Sequence, residues 1–138
     1  MITSTTLPHS LETAFAAWAE RAGCRLLMLF GSAAAGTARP RSDLDLAVLL
    51  RPLPDAGDRL SMIGQLQDLC GQRRADVTFL TPGTNPVFHF EVFRAGRPLF
   101  EAEPGVFAAE VVRALACYED ALPFRRRLAE QLAGQAKR

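Results

Sequence analysis

A chain of 138 residues with 49% hydrophobic and 22% charged side chains has the size and composition of one compact globular domain. Its 16 Lys and Arg residues are balanced by 15 Asp and Glu residues, and the net charge of +1 argues against a protein whose main role is to bind DNA. The three Cys residues are odd in number and widely separated, which argues against a disulfide framework or a zinc site and predicts small core residues in a reducing compartment.

The first part of the chain is predicted to form one helix and two strands. A Ser10 cap and a Gly23 stop enclose a segment whose apolar residues have helical spacing, namely Leu11, Phe15, Trp18 and Ala22. The runs RLLMLF, 25–30, and LDLAVLL, 44–50, are short and apolar and are bounded by turn-forming residues. Both runs predict buried strands.

The middle of the chain is predicted to add a helix, a strand and a short helix. The helix precedes Gly71 and has one apolar face made of Leu60, Ile63, Leu66 and Leu69. ADVTFL, 75–80, predicts a third strand that the turn formers TPGTNP close. Residues 86–95 are predicted to form the short helix.

The last part of the chain is predicted to be mainly helical. RPLF, 97–100, is expected to be a brief extended piece, and a helical region is expected from about 105 to 133. Its apolar stripe would consist of Phe107, Val111, Leu115 and Tyr118, and Pro123 should kink the helix or divide it in two. The pattern predicts an α/β fold with about three core strands. No segment has the pattern of a signal peptide or a membrane helix, so a soluble, cytoplasmic protein is expected.

Two aspartates at the start of the second predicted strand are the first candidate functional residues. Alternate residues of a strand point to the same face, so Asp43 and Asp45 should project together while Leu44 and Leu46 face the core. Two carboxylates this close repel each other, and a shared proton, an arginine partner or a divalent cation can relieve the repulsion. Mg²⁺ is the natural candidate for a site made of oxygen ligands.

A third carboxylate begins the next predicted strand. Asp76 taken alone would be a solvated residue at a strand start, but beside Asp43 and Asp45 it would complete a site for two metal ions. Such a pair of ions activates an attacking oxygen and stabilises a leaving oxygen on opposite sides of one phosphorus. The three aspartates therefore predict phosphoryl or nucleotidyl transfer.

A Gly-Ser pair after the first predicted strand offers a place for phosphates. Gly31 lets the backbone come close to phosphate oxygens, and the Ser32 hydroxyl can donate a hydrogen bond to one of them. The small residues SAAAG that begin at Ser32 could form a short helix whose free N–H groups face the anion. A Gly-Ser pair is most often a simple turn, and its significance here comes from its spacing to the aspartates.

These motifs together resemble those of a known enzyme superfamily. The order of GS, AAAG, RSDLDLAVLL and the acid of ADVTFL is similar to that of DNA polymerase beta-like nucleotidyltransferases. Within this superfamily the small size resembles the minimal nucleotidyltransferases, the MNT or MntA-type antitoxins of HEPN/MNT toxin–antitoxin pairs. Residues 85–101, NPVFHFEVFRAGRPLFE, and 118–128, YEDALPFRRRL, extend the resemblance over most of the chain.

The resemblance implies a fold, a site and a reaction. The fold would be a single polymerase beta-like domain over 1–138, with a small mixed sheet flanked by helices in a catalytic core over about 1–102 and a helical tail over about 103–138. Asp43, Asp45 and Asp76 would be catalytic and would ligate two Mg²⁺ ions, while Gly31 and Ser32 would hold the phosphates of ATP. Such antitoxins move AMP from ATP to a tyrosine of the HEPN ribonuclease, so the implied partner is a HEPN-domain toxin, with no direct contact to nucleic acid or membrane.

One position departs from the family motif and keeps two alternatives open. The motif commonly has an arginine where Ala35 stands, and Arg39 or Arg41 would replace it only if they are not ordinary solvated loop charges. An antitoxin that inhibits by binding and occlusion is therefore the first alternative. A nucleotidyltransferase for a small molecule, of the aminoglycoside type, is the second, although the chain has little room for a separate acceptor-binding domain.

Two other features have simpler interpretations. His89 lies between Phe88 and Phe90 and is predicted to be a packing or surface histidine rather than a catalytic base. The basic cluster 125–127 is predicted to be a solvated helix face, and the functional alternative is a docking surface for an acidic partner.

Overall fold

Five helices and four strands make up the described part of the chain, residues 7–35 and 42–136 of a computed structural model. The helices are α1 His9–Ala22, α2 Gly31–Ala35, α3 Ala56–Cys70, α4 Pro86–Ala95 and α5 Val106–Ala136. The strands are β1 Leu26–Phe30, β2 Leu44–Leu49, β3 Ala75–Phe79 and β4 Arg97–Glu101. The predicted strands over 25–30, 44–50 and 75–80 and the predicted helix over 86–95 are thereby confirmed.

The four strands form one mixed sheet in the order β3-β2-β1-β4. β1 is antiparallel to both β2 and β4, whereas β2 and β3 are parallel and are connected through α3. The sequence predicted about three core strands, and that number was too low because RPLF belongs to β4. Proline in a sheet is tolerated at an edge or beside a bulge, and Pro98 lies in the edge strand where the register shifts opposite Met28.

Successive residues of β1 and β2 point to opposite faces of the sheet, and nearly all of them are apolar. Both faces are therefore covered by helices. Leu27, Leu29, Leu44, Leu46 and Val48 pack on one side against Phe15 and Trp18 of α1 and Met62 and Leu66 of α3. Leu26, Met28, Ala47 and Leu49 pack on the other side against Val92 and Phe93 of α4 and Val106 and Ala114 of α5. The two strands are therefore buried on both faces, which explains their unbroken apolar sequence.

The first three helices partly agree with their predictions. Gly23 ends α1 as predicted, and it does so in a left-handed conformation. The predicted Ser10 cap was wrong, since α1 already begins at His9 and Pro8 occupies the cap position. The buried residues of α3 are Met62, Leu66 and Cys70, whereas Leu60 is 70% exposed. The prediction placed the leucines and an isoleucine of α3 on its buried face. Methionine and cysteine also fill a core well, and they take two of the buried positions.

The last helix differs from its prediction in two ways. The sequence predicted that Pro123 would kink the last helix or divide it in two; α5 continues through Pro123 as one helix, so the division does not occur. Glu119, whose carbonyl loses its helical partner at Pro123, is exposed, and water can take that hydrogen bond. The buried stripe is Val106, Glu110 and Ala114, one position before the predicted one, and Leu115 is exposed. Because Glu110 lies at the centre of the buried stripe, this face does not show apolar residues at regular helical spacing.

Two further predictions concern cysteines and membranes. Cys24 and Cys70 are buried as expected, but Cys117 is exposed on α5, so it is not a core residue. Burial raises the pKa of the Cys24 thiol to about 12 and so keeps the thiol protonated. In the described ranges, no helix has the length and apolar character needed to cross a membrane.

Candidate active site

Two carboxylates lie side by side where the parallel strands begin. Asp45 is the second residue of β2 and shares the face of Ala47 and Leu49, while Leu44 and Leu46 are fully buried on the other side. Leu44, Asp45 and Leu46 therefore alternate between the two faces as predicted. Asp76 is the second residue of β3 and pairs in register with Asp45, so both side chains project from the same face of neighbouring strands. Asp43 precedes β2 and is exposed.

The other two carboxylates, Asp43 and Asp76, affect the pKa of Asp45. Partial burial raises the pKa of Asp45, and the charges of Asp76 and then of Asp43 raise it further. The charged form of Asp45 therefore meets a repulsion that a cation between these groups would relieve. Nevertheless, nowhere in residues 7–35 and 42–136 do three His, Cys, Asp or Glu side chains converge into a preformed metal site.

Gly31 brings the backbone against the Asp45 carboxylate. Phe30, the last residue of β1, pairs with Asp45 of β2, so the next residue of the chain passes directly beside that side chain. Gly31 has a φ of 72°, and a Cβ built on it would lie only 2.2 Å from Asp45 Oδ2. No other residue type fits here without displacing the carboxylate, because both the positive φ and the space favour glycine.

The predicted short helix follows at once as α2. Its first two residues are Gly31 and Ser32, and it packs against β1, β2 and α4. The Gly-Ser pair and the Asp45–Asp76 pair are therefore neighbours in the fold. Ala35 ends α2, whereas Arg39 and Arg41 lie outside the described residues.

A hydrogen-bond network holds the segments that carry the carboxylates, and the sequence analysis missed it. Arg73 Nε donates to the carbonyl of Ser42 at 3.0 Å, and the backbone N–H of Leu44 donates to the carbonyl of Arg74 at 2.8 Å. Gln67 of α3 accepts from the Ala75 N–H at 2.9 Å and donates to the Arg73 carbonyl at 2.8 Å. Arg73 Nη2 is buried and has no hydrogen-bond partner in the described part of the chain. The only sequence signal was an arginine pair placed directly before an acidic strand start.

The remaining candidate residues lie away from the carboxylates. His89 is buried in α4 beside Glu110 of α5, and its ring lies 5.1 Å from that of Phe93, as expected of a packing residue. Residues 125–127 are exposed on α5, and the Arg125 guanidinium lies 5.8 Å from the centre of the Tyr118 ring.

Several solved structures of toxin–antitoxin complexes have a fold similar to that of this chain. A crystal structure of a toxin–antitoxin with AMP-PNP matches with a TM-score of 0.76 and 21% identity over 88% of this chain and 98% of that chain. A structure of tri-AMPylated Shewanella oneidensis HEPN toxin in complex with MNT antitoxin matches with a TM-score of 0.72 and 18% identity over 90% and 97%. The MntA-HepT toxin–antitoxin structure matches with a TM-score of 0.73 and 18% identity over 91% and 99%.

At the sequence level, no curated protein matches the chain significantly. The model of the family described as "Polymerase beta, Nucleotidyltransferase" matches residues 17–104, which span β1 to β4 and contain all three aspartates. The polymerase beta-like fold that the sequence predicted is confirmed by this match and by the solved structures. The chain therefore belongs to the polymerase beta nucleotidyltransferase family.

Proposed function

We propose that this protein is the antitoxin of a HEPN/MNT toxin–antitoxin pair and that it inactivates the HEPN ribonuclease by transferring AMP from ATP to a tyrosine of the toxin. The observation that carries the proposal is the pairing of Asp45 with Asp76 across parallel strands, with Gly31 against the Asp45 carboxylate. The family membership supports nucleotidyl transfer. The similar structures with AMP-PNP and with an AMPylated HEPN toxin support the nucleotide and the partner.

The three carboxylates have the chemistry of a magnesium site. Asp43, Asp45 and Asp76 would hold two Mg²⁺ ions, and the raised pKa of Asp45 supports this assignment because bound cations remove its repulsion. Mg²⁺ needs only one or two carboxylates when waters and phosphate oxygens complete its shell, so a preformed cage of three ligands is not required. The ions would neutralise charge that develops on the attacking and leaving oxygens.

The transfer is a substitution at the α-phosphorus of ATP. The tyrosine oxygen of the toxin forms a bond to this phosphorus while the bond to the pyrophosphate oxygen breaks, and the hydroxyl proton passes to Asp76. Gly31 and Ser32 would hold the nucleotide phosphates at the start of α2. The products are the AMP-modified tyrosine and pyrophosphate, with the proton finally released to water.

The whole chain would act as one unit in the cytoplasm. We infer a single nucleotidyltransferase domain over 1–138, with the catalytic core over about 1–102 and the helical tail over about 103–138. The burial of Val106 and Ala114 of α5 against the sheet supports a tail that is attached to the core.

Intact-mass measurement tests the proposal directly. The chain is incubated with the HEPN protein encoded beside it, ATP and Mg²⁺, and the mass of the HEPN protein is expected to increase in units of AMP. Asp43→Asn, Asp45→Asn and Asp76→Asn should each abolish the increase, whereas Asp120→Asn, on the exposed side of α5, should not. An unchanged mass of the HEPN protein with the unaltered chain would refute the transfer.

Ala35 favours one second candidate, an antitoxin that acts by binding alone. The family motif commonly has an arginine at this position, and a cation that could contact the nucleotide is therefore missing. An antitoxin of this kind would still neutralise the ribonuclease after both Asp43→Asn and Asp45→Asn. Loss of neutralisation in these variants, together with an intact complex, would exclude it.

A further inference from the structure

A pocket lies at the end of the parallel strands opposite to Asp45 and Asp76. Its volume is about 420 Å³, and it is formed by the segments that follow β2 and β3 and by facing sides of α4 and α5. Asp45 and Leu49 lie at the two ends of β2, roughly 13 Å apart at about 3.3 Å per residue. The carboxyl ends of parallel strands are where α/β sheets commonly bind ligands. We call this cavity the α4/α5 pocket.

The walls of the α4/α5 pocket are mainly apolar. Their apolar residues include Leu49, Leu50, Pro52, Leu53, Leu80 and Pro86. Leu49, Leu50 and Leu80 are buried, and Leu53 at the rim is 39% exposed. An apolar cavity of this volume lies within the size range of small-molecule sites, roughly 300–1,000 Å³.

Two buried polar side chains of the α4/α5 pocket each have one atom without a hydrogen-bond partner in the described residues. Glu110 of α5 and His89 of α4 are 4% and 8% exposed. Glu110 Oε2 lies 3.9 Å from His89 Nε2, which is too far for a hydrogen bond, and neither atom has another partner in the described residues. Buried polar atoms are nearly always satisfied, so these two atoms are candidates for hydrogen bonds to a bound molecule.

The charges around Glu110 restrict what this ligand atom can be. Glu110 Oε1 already accepts a hydrogen bond from Arg51 Nη2 at 2.9 Å and lies 3.8 Å from Arg113 Nη1. Burial lowers the pKa of His89 against the opposing pull of Glu110, with Arg113 and Arg51 lowering it further, so the imidazole is neutral at neutral pH. The carboxylate is thus matched by two arginines, and a further cation is not needed.

A hydroxyl group satisfies both unpartnered atoms at once. It can donate its hydrogen to Glu110 Oε2 and accept one from His89 Nε2–H. We propose that the α4/α5 pocket binds a small neutral molecule of the phenol class, with its ring against the leucines and its hydroxyl between Glu110 and His89. This site is separate from the carboxylates of the proposed transfer reaction.

Binding of phenol and toluene to the full chain tests the proposal, because the two probes have nearly the same shape and only phenol has the hydroxyl. Binding is followed by NMR, through the imidazole signals of His89 and the backbone amides around the pocket. Phenol is expected to shift these signals saturably, with an affinity about tenfold higher than that of toluene, the gain of roughly one good hydrogen bond to a charged group. Equal affinities, or no saturable shift with phenol, would overturn the proposal.

Two substitutions test the apolar walls of the pocket and its polar pair, Glu110 and His89, separately. Leu53→Trp at the rim should obstruct the cavity and weaken both probes, whereas Leu60→Trp on the exposed side of α3 should leave both affinities unchanged. His89→Gln should reduce the preference for phenol over toluene, because the hydroxyl then keeps only its bond to Glu110, while toluene still binds. Phenol binding that survives Leu53→Trp unchanged would place the site elsewhere and contradict the proposal.

Discussion

At the scale of single residues, the contact between Gly31 and Asp45 makes position 31 intolerant of any side chain. Gly31→Ala would place a Cβ at 2.2 Å from Asp45 Oδ2 and would force a positive φ on alanine. We expect a loss of about 1–3 kcal/mol in the free energy of unfolding, measured in urea, because both the strain and the displaced side chain cost stability.

A second glycine provides the control for this substitution. Gly64 lies inside α3, and a Cβ built on it would meet nothing within 4 Å. Gly64→Ala should therefore raise the free energy of unfolding by about 0.5–1 kcal/mol through its better helix propensity. If Gly31→Ala behaved like Gly64→Ala, the close approach to Asp45 would be refuted.

Asp45 is expected to reduce stability in the absence of a cation. Its pKa is raised in the folded chain, so the folded state disfavours the charged form, and stability is lost as pH rises through the folded pKa. Asp45→Asn should therefore increase the free energy of unfolding at pH 7, by about 0.5–2 kcal/mol, the usual gain of a stabilising substitution. Chemical denaturation without divalent cations measures it.

The matched control is Asp120→Asn on the exposed surface of α5, which should change the free energy of unfolding by less than about 0.5 kcal/mol. Addition of Mg²⁺ should stabilise the unaltered chain and the Asp120→Asn variant, but not Asp45→Asn. A loss of stability on Asp45→Asn would show that the carboxylate is held by partners rather than repelled by its neighbours.

At the scale of helices and strands, the contact between α4 and α5 predicts sensitivity to mild acid. The folded chain lowers the pKa of His89, so the unfolded chain binds a proton more readily. The stabilising contribution is complete above the unfolded pKa, about 6.5, and is lost as pH falls toward the folded pKa. Urea unfolding between pH 7.5 and pH 5 should therefore show a decrease in stability.

Substitution of each histidine tests the origin of this decrease. His89→Gln should flatten the dependence of unfolding on pH, because the proton that distinguishes the two states is removed. His9→Gln, at the exposed start of α1, should leave the dependence as it is in the unaltered chain. An unchanged pH dependence in His89→Gln would show that other groups cause it.

Elements with local signals could be predicted from the sequence, and those set by distant contacts could not. β1, β2 and β3 are short apolar runs between turn formers, and α4 begins at Asn85-Pro86, whose Asn side chain accepts from the Val87 N–H at 2.9 Å. β4 was predicted only as a brief extended piece and not as a strand of the sheet, because its partner β1 lies far away in sequence. The buried face of α5 escaped prediction because Glu110 belongs to it only through Arg51 and His89.

In the candidate site, too, the features within one segment could be predicted from the sequence, and the contacts between distant segments could not. The opposite faces of Asp45 and of its neighbours Leu44 and Leu46 follow from the alternation of a strand, which any single segment displays. The distance from Gly31 to Asp45 depends on the register between β1 and β2, and the placement of Arg73 depends on how β3 enters the sheet. No residue spacing within one segment contains this information.

At the scale of the whole molecule, the C-terminal half of α5 has large apolar side chains that are exposed to solvent. Phe124, Leu128 and Leu132 are 70%, 46% and 57% exposed and lie on one face of the helix, at successive spacings of four. A chain with a net charge of only +1 has little repulsion to keep such a surface from associating. The proposed HEPN partner would make use of this face.

Polar substitution tests whether this surface serves folding or association. The triple variant Phe124→Gln, Leu128→Gln and Leu132→Gln should change the free energy of unfolding of the isolated chain by less than about 0.5 kcal/mol, since the side chains are exposed. It should weaken the complex with the HEPN protein by at least about tenfold in calorimetry. Arg126→Gln with Glu130→Gln, which keeps the net charge, should not. Equal affinities of the two variants would rule out this face.

The pairing of β4 with β1 also has a consequence for the newly made chain. β1 is synthesised early, but the edge that β4 covers stays open until residues 97–101 have left the ribosome. An open apolar strand edge is a template for pairing with other chains. Fragments that end at residue 95 should therefore sediment as aggregates, while the full chain should stay in the supernatant. Released chains that stop before the fourth strand are thus expected to be the ones that associate with their neighbours.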